Sequence, residues 1–143
     1  MKYPFVIKTA EDGSLRCEFP DIPEMETIRF DDHLDIAERA HEAFSKVLEV
    51  SYRRLGREIP APSRVKKGEY YLYVHIGLQA KILLWHRLLK VNMSASELAR
   101  RYGCSRQELQ RVLDLSRNSG LDKVEQLLLK LDRSFSVDAV TLP

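Results

Sequence analysis

Apolar positions change their spacing along the chain, and each change predicts a different element. Residues 3–7 are mostly apolar and aromatic, and Ala10-Glu11-Asp12-Gly13-Ser14 supplies turn chemistry after them. Leu15, Cys17 and Phe19 then alternate with Arg16 and Glu18, the period of a strand with one face buried. Pro20 and Pro23 bracket a bend, and Ile28 and Phe30 alternate with Thr27 and Arg29 as a third short strand. From Asp32 onward the period lengthens. Ile36, Ala40, Ala43, Val47 and Val50 recur in steps of four and three, widened by Ala37, Phe44 and Leu48. Asp32 and Asp35 favour a helix start, so the spacing predicts a helix of five or six turns ending near Leu55-Gly56. Ile59-Pro60-Ala61-Pro62-Ser63 cannot continue it and reads as an extended connector. Tyr70, Leu72, Val74 and Ile76 line one face of a fourth strand, opposite Tyr71, Tyr73 and His75. The front of the chain is therefore βββαβ, a small sheet with one helix packed on it.

Gly77 punctuates the pattern, and helical spacing follows over 80–90, 94–102, 105–114 and 123–131. In the tail, 134–142, Phe135, Val137 and Ala139 alternate with Ser136 and Asp138, which predicts a last strand. The expected class is α+β, with one domain over 1–76 and a mainly helical one over 77–143.

The stretch from Ser94 to Leu113 carries the clearest chemistry. Ser94 with Glu97, and Ser105 with Glu108, have capping-box spacing, so two helix starts lie eleven residues apart. Gly103 falls where the first helix must stop and turn sharply. Ala99 is small where the second helix crosses, and Leu98, Tyr102, Cys104, Leu109 and Val112 supply apolar contacts between the two. Any helical hairpin wants a turn glycine and apolar facing positions. Here those positions agree with the offsets of a DNA-reading helix-turn-helix, and the second helix also presents Arg106, Gln107, Gln110 and Arg111. These four are the expected base readers, with Ser105 and Arg117 near phosphates and Arg100 and Arg101 closer to the backbone or solvent. One such helix reads a half-site, so at least a dimer is expected, with the tail strand as its pairing edge.

Charge adds a second surface. The net charge of +2 conceals an acidic front and a basic back: residues 1–50 hold 6 Lys/Arg against 12 Asp/Glu, and residues 76–143 hold 11 against 7. The longest apolar run, Tyr70 to Val74, is far short of the roughly 20 residues of a membrane helix, and Lys8, Glu11 and Asp12 break any signal-peptide core. A cytoplasmic protein is expected. Cys17 and Cys104 lie far apart on apolar positions, without CxxC or His spacing, and read as reduced core thiols.

Tyr3-Pro4, Glu11-Asp12-Gly13, Phe19-Pro20-Asp21-Ile22-Pro23 and the long Ala-rich helix closely resemble the HicB family of bacterial antitoxins. The likeness continues through Ile59-Pro60-Ala61-Pro62-Ser63 and Tyr70–Ile76, and rejoins at Leu98-Ala99-Arg100-Arg101, so it spans nearly the whole chain. The resemblance implies a partial RNase H-like front that masks a small HicA-type ribonuclease toxin. It also implies a Cro/repressor-like back that represses the operon by binding double-stranded operator DNA. It implies no catalytic group, metal or cofactor of the chain's own. A ribonuclease that holds RNA presents a basic surface, which an acidic partner complements. Asp12, Asp21, Glu24 and Glu26, in loops beside the strands, are the candidate toxin contacts.

Two other readings compete. A metal-dependent nuclease would need carboxylates converging on Mg²⁺, and Asp21, Asp35, Glu38 and Glu42 are available, but Glu38 and Glu42 have the i, i+4 spacing of a solvated helix face. His33, His41, His75 and His86 show no ligand spacing. A stand-alone helix-turn-helix repressor with a ligand-sensing or oligomerising front fits the residues as well, and a small toxin gene next door would decide against it.

Overall fold

The computed structural model describes residues 1–141. Strands β1 (Lys2–Thr9) and β2 (Leu15–Glu18) form an antiparallel hairpin with Val6 opposite Glu18 and Thr9 opposite Leu15. The turn between them runs through Gly13 at φ 87°, and the Asp12 carboxylate accepts from both the Ser14 amide and its hydroxyl. Strand β3 (Tyr70–Tyr73) pairs antiparallel on the other side of β1, giving the order β2-β1-β3.

Two expected strands are absent or shortened. Ile28 and Phe30 contribute only a single bridge, in which Phe30 and Leu15 exchange both backbone hydrogen bonds at 2.8 Å. No ladder can grow there, because Pro23–Thr27 coils into a 3-10 turn before it and Asp31–Asp32 begin the helix cap just after it. The fourth strand stops at Tyr73 instead of running to Ile76. Ile76 opens a helix, whose first turn is closed by the Gln79 amide on the His75 carbonyl and by the Gln79 side chain on the Val74 carbonyl. The tail is a third correction. Residues 134–141 form no strand; Phe135 leans on the helical core, Val137 and Val140 stand in solvent, and Leu142 lies outside the described residues. Alternation alone supplies no partner edge, and a strand is not stable without one.

The long helix α1 (His33–Ser51) is capped as expected, with the Asp32 carboxylate accepting from the Asp35 amide at 2.8 Å. It ends in a 3-10 turn, Arg53–Leu55, terminated by Gly56 in the left-handed region at φ 69°. Four more helices follow: α2 (Ile76–Val91), α3 (Ala95–Tyr102), α4 (Arg106–Leu113) and α5 (Leu121–Leu129). Over the described residues the chain is thus α+β, a three-stranded antiparallel sheet with five α-helices.

Two apolar clusters hold it together. In the front, Tyr3, Phe5, Phe19 and Phe44 pack ring against ring at 4.8–5.5 Å between the sheet and α1. In the back, Leu84, Leu88, Leu98, Leu109 and Leu127 join α2 to α3, α4 and α5. Burying each such side chain stabilises by about 1.5–3 kcal/mol. Helix α2 serves both: Leu78 and Ile82 belong to the front cluster, Ala80, Leu84 and Leu88 to the back one. Gly77 lies inside its first turn, so helix and not hinge connects the two clusters.

The Pro-rich connector is tied down by side chains. Ser63 donates its amide and hydroxyl to Asp21, Tyr3 donates to the Pro60 carbonyl at 2.6 Å, and the Ile59 amide donates to His86 Nε2 at 2.9 Å. His41 plays a similar part: it stacks on His75 at 3.7 Å between ring centroids and accepts the His75 amide at Nε2. Both imidazoles must be neutral to accept. Burial pushes His41 and His86 below the ordinary imidazole value, and the charge of His75 adds to the shift at His41. The unfolded chain therefore binds these protons first, so their contribution is complete above about pH 6.5 and is lost as pH falls below it. Denaturant midpoints should drop between about pH 7 and pH 5.5, and less so in His86→Gln, which keeps an acceptor but cannot titrate. Equal slopes for the two proteins would refute this role for His86.

Candidate functional site

Helices α3 and α4 are built as their capping residues dictate. The Ser94 hydroxyl accepts from the Glu97 amide and the Ser105 hydroxyl from the Glu108 amide, each at 3.1 Å. Between them Gly103 takes φ 81°, and its amide and that of Cys104 both bond to the Ala99 carbonyl. Leu98, Ala99, Leu109 and Val112 are buried between the helices, with Tyr102 and Cys104 packed alongside. The Tyr102 hydroxyl is anchored on Gln126 of α5 at 2.5 Å.

This packing turns one face of α4 outward. Ser105, Arg106, Gln107, Arg111 and Arg117 are exposed and Gln110 is half-buried. Arg106, Gln107, Gln110, Arg111 and Arg117 line one groove, so five of the six expected DNA contacts converge; Ser105 sits at the helix start, beside Gln107, Arg111 and Arg117 in an adjoining hollow. The Ser105 hydroxyl spends its acceptor on the cap and keeps its proton free to donate.

The opposite wall of the groove comes from the front of the chain. Glu49, on α1, is 1% exposed, and its carboxylate accepts four hydrogen bonds: two from Arg53 (2.5 and 2.6 Å), one from Arg54 (3.0 Å) and one from the Leu115 amide (2.9 Å). Burial would raise its pKa, but these donors and the Arg53 charge together hold it below the usual glutamate value. Arg53 reaches on to Gln110 Oε1 at 3.5 Å. Lys81, 2% exposed on α2, braces the same region, donating to the Asp114 carbonyl at 2.8 Å and the Arg117 carbonyl at 2.6 Å. Burial lowers its pKa to about 8 against the pull of Asp114 and Glu49. Neither brace was legible as such. Glu49 is followed by arginines at i+4 and i+5, and Lys81 shares the face of Leu84 and Leu88, but only packing shows that both heads are buried.

The four candidate toxin contacts do not form one cluster of free carboxylates. Asp12 caps its own turn, Asp21 holds Ser63, and Glu24 accepts from the Tyr52 hydroxyl at 2.6 Å with Arg57 at 3.7 Å. Glu26 is exposed, and Asp12 is too despite its turn contacts. Of the carboxylates a nuclease would need, Asp35 pairs with Arg39 and Glu42 with Lys46. Among the described residues no three His, Cys, Asp or Glu side chains are grouped to hold a metal, and no helix is long and apolar enough to cross a membrane. Cys17 is buried, which raises its thiol to about 11, and Cys104 is half-buried; neither is paired.

Residues 2–83 match the family model of HicB-like antitoxins of bacterial toxin–antitoxin systems. Antitoxin HicB 2 of Photorhabdus laumondii is 34% identical over 140 residues, covering 98% of this chain and 97% of its own. Antitoxin HicB of Escherichia coli K12 is 28% identical over 137 residues, 96% of this chain and 98% of its own. Antitoxin HicB of Pseudomonas fluorescens is 32% identical over 126 residues, 86% and 84%. With the family model covering more than half the chain and full-length relatives on either side of 30% identity, the chain belongs to the HicB-like antitoxin family.

Proposed function

We propose that this chain masks a HicA-type ribonuclease toxin with its front and represses its own operon by binding operator DNA with its back. The observation that carries the DNA half is the face of α4: arginine and glutamine side chains turned outward together on a helix whose other side packs Leu109 and Val112 against Leu98 and Ala99 of α3, across a turn made by the left-handed Gly103. A helix-turn-helix places such a face in the major groove, where Arg suits guanine and Gln suits adenine. Assembly to at least a dimer would supply the second half-site. The toxin half rests on family membership and on the acid excess of residues 1–50. The front then acts as a partial RNase H-like module without chemistry of its own, covering the toxin's basic RNA-binding face.

Co-expression with a HicA-type toxin gene, sought next to this one, is the test. The full chain should restore growth and co-purify with the gene product, and Glu26→Lys combined with Asp12→Lys should slow association most at low salt, where steering over about 8–10 Å is least screened. Asp21 and Glu24 are poor choices for charge reversal because they hold Ser63 and Tyr52. If the chain neither binds the product nor protects the cell, it is a stand-alone repressor.

A further inference from the structure

We propose that the DNA-contacting surface extends into the front of the chain, with Arg54 as a phosphate contact and Arg53 as the residue that positions Gln110 beside it. The inference rests on the reading of α4 as the DNA-facing helix and adds residues that lie more than fifty positions away in sequence.

The groove along α4 is walled by Arg53 and Arg54 on one side and by Arg106, Arg111 and Arg117 on the other. Two carboxylates share it, and neither is free to repel a phosphate. Glu49 is buried and saturated by four donors, and Asp114 accepts from the Ser116 amide and hydroxyl at 2.9 and 2.6 Å, with Arg117 at 3.4 Å. What the groove shows to solvent is therefore guanidinium together with the neutral amides of Gln107 and Gln110. A polyanion fits such a surface, and duplex DNA seated on α4 would run its backbone along the flanks of the helix.

The two front arginines divide the work by exposure. Arg53 has a side chain only 12% exposed and is held fork to fork by Glu49, so it does not reach out; its remaining Nη1 touches Gln110 Oε1. That contact, long at 3.5 Å, occupies the Gln110 carbonyl oxygen and leaves its NH₂ for a base. Arg54 makes a single bond to Glu49 through Nε, and its side chain is 58% exposed. Its Nη1 and Nη2 donors remain available to a phosphate oxygen.

The test uses the full chain and two duplexes, one from the region upstream of its own gene and one of scrambled sequence, with affinity measured across a salt series. Arg54→Ala should weaken binding to both duplexes by a similar factor and flatten the slope of log K against log salt by about 0.9, so that a fourfold rise in salt costs about 3.5-fold less than in the wild type. Arg54→Lys should restore the slope, and Lys8→Ala, which removes an exposed charge at the end of β1, should leave it unchanged. An Arg54→Ala slope equal to that of Lys8→Ala, beside a wild type that prefers its upstream duplex, overturns this proposal and leaves the reading of α4 intact. A wild type that binds neither duplex overturns both.

Discussion

Replacing Glu49 with Ala should lower the unfolding free energy by about 3–5 kcal/mol, the largest loss expected from any charged position in the chain. The substitution strips Arg53 of its two bonds to the carboxylate, leaving only its long contact with Gln110, and leaves the Leu115 amide, which is buried, without an acceptor. A buried donor with no partner costs far more than the pair contributes net, because water no longer reaches it. The sign of the pH dependence adds a check. The folded-state pKa of Glu49 lies below its ordinary 4.5, so its contribution is present above that value and is lost as pH falls through the lower folded value. Urea midpoints of wild type and Glu49→Ala should thus be far apart near neutrality and approach each other in acid. Glu49→Gln, which keeps an acceptor for Leu115, should fall between. A Glu49→Ala midpoint within experimental error of wild type at neutral pH would show that the junction between α1 and the α4–α5 loop carries no stability.

Arg106→Ala, Gln107→Ala and Gln110→Ala together should erase the preference for the upstream duplex over a scrambled one. Each lost base contact removes about 1–3 kcal/mol of discrimination, so the preference should fall a hundredfold or more. Arg106 and Gln107 are exposed, and Gln110 is half-buried outside both apolar clusters with one long contact to Arg53, so the fold should survive. Residual salt-dependent binding through the phosphate contacts Arg117 and Ser105 should persist. That combination, specificity gone and electrostatic affinity partly kept, separates base readers from phosphate contacts. Retention of the upstream preference in the triple variant would remove α4 as the reading helix.

Where the controlling physics is local, the sequence alone was decisive. Asp32, Ser94 and Ser105 cap α1, α3 and α4 as expected, because the cap bonds an amide three residues away. Gly13, Gly56 and Gly103 all sit at positive φ where the chain turns, and of the four-and-three rhythm on α1 Ile36, Ala40, Phe44, Val47 and Leu48 are buried, whereas Ala37 and Val50, at its edges, stand exposed. The outward face of α4 follows from the same periodicity. Period-two alternation proved weaker. It suggested strands at Ile28–Phe30, through Ile76 and in the tail, yet a strand exists only where another strand offers its edge. Phe30 found one residue to pair with, Ile76 found a helix, and the described part of the tail found nothing. Tertiary structure alone decided the rest. It committed Asp21 and Glu24 to Ser63 and Tyr52, carried α2 through both apolar clusters, and set the front arginines against α4. Those contacts join residues about thirty to seventy positions apart, and no periodicity records which distant donor a buried carboxylate such as Glu49 will meet.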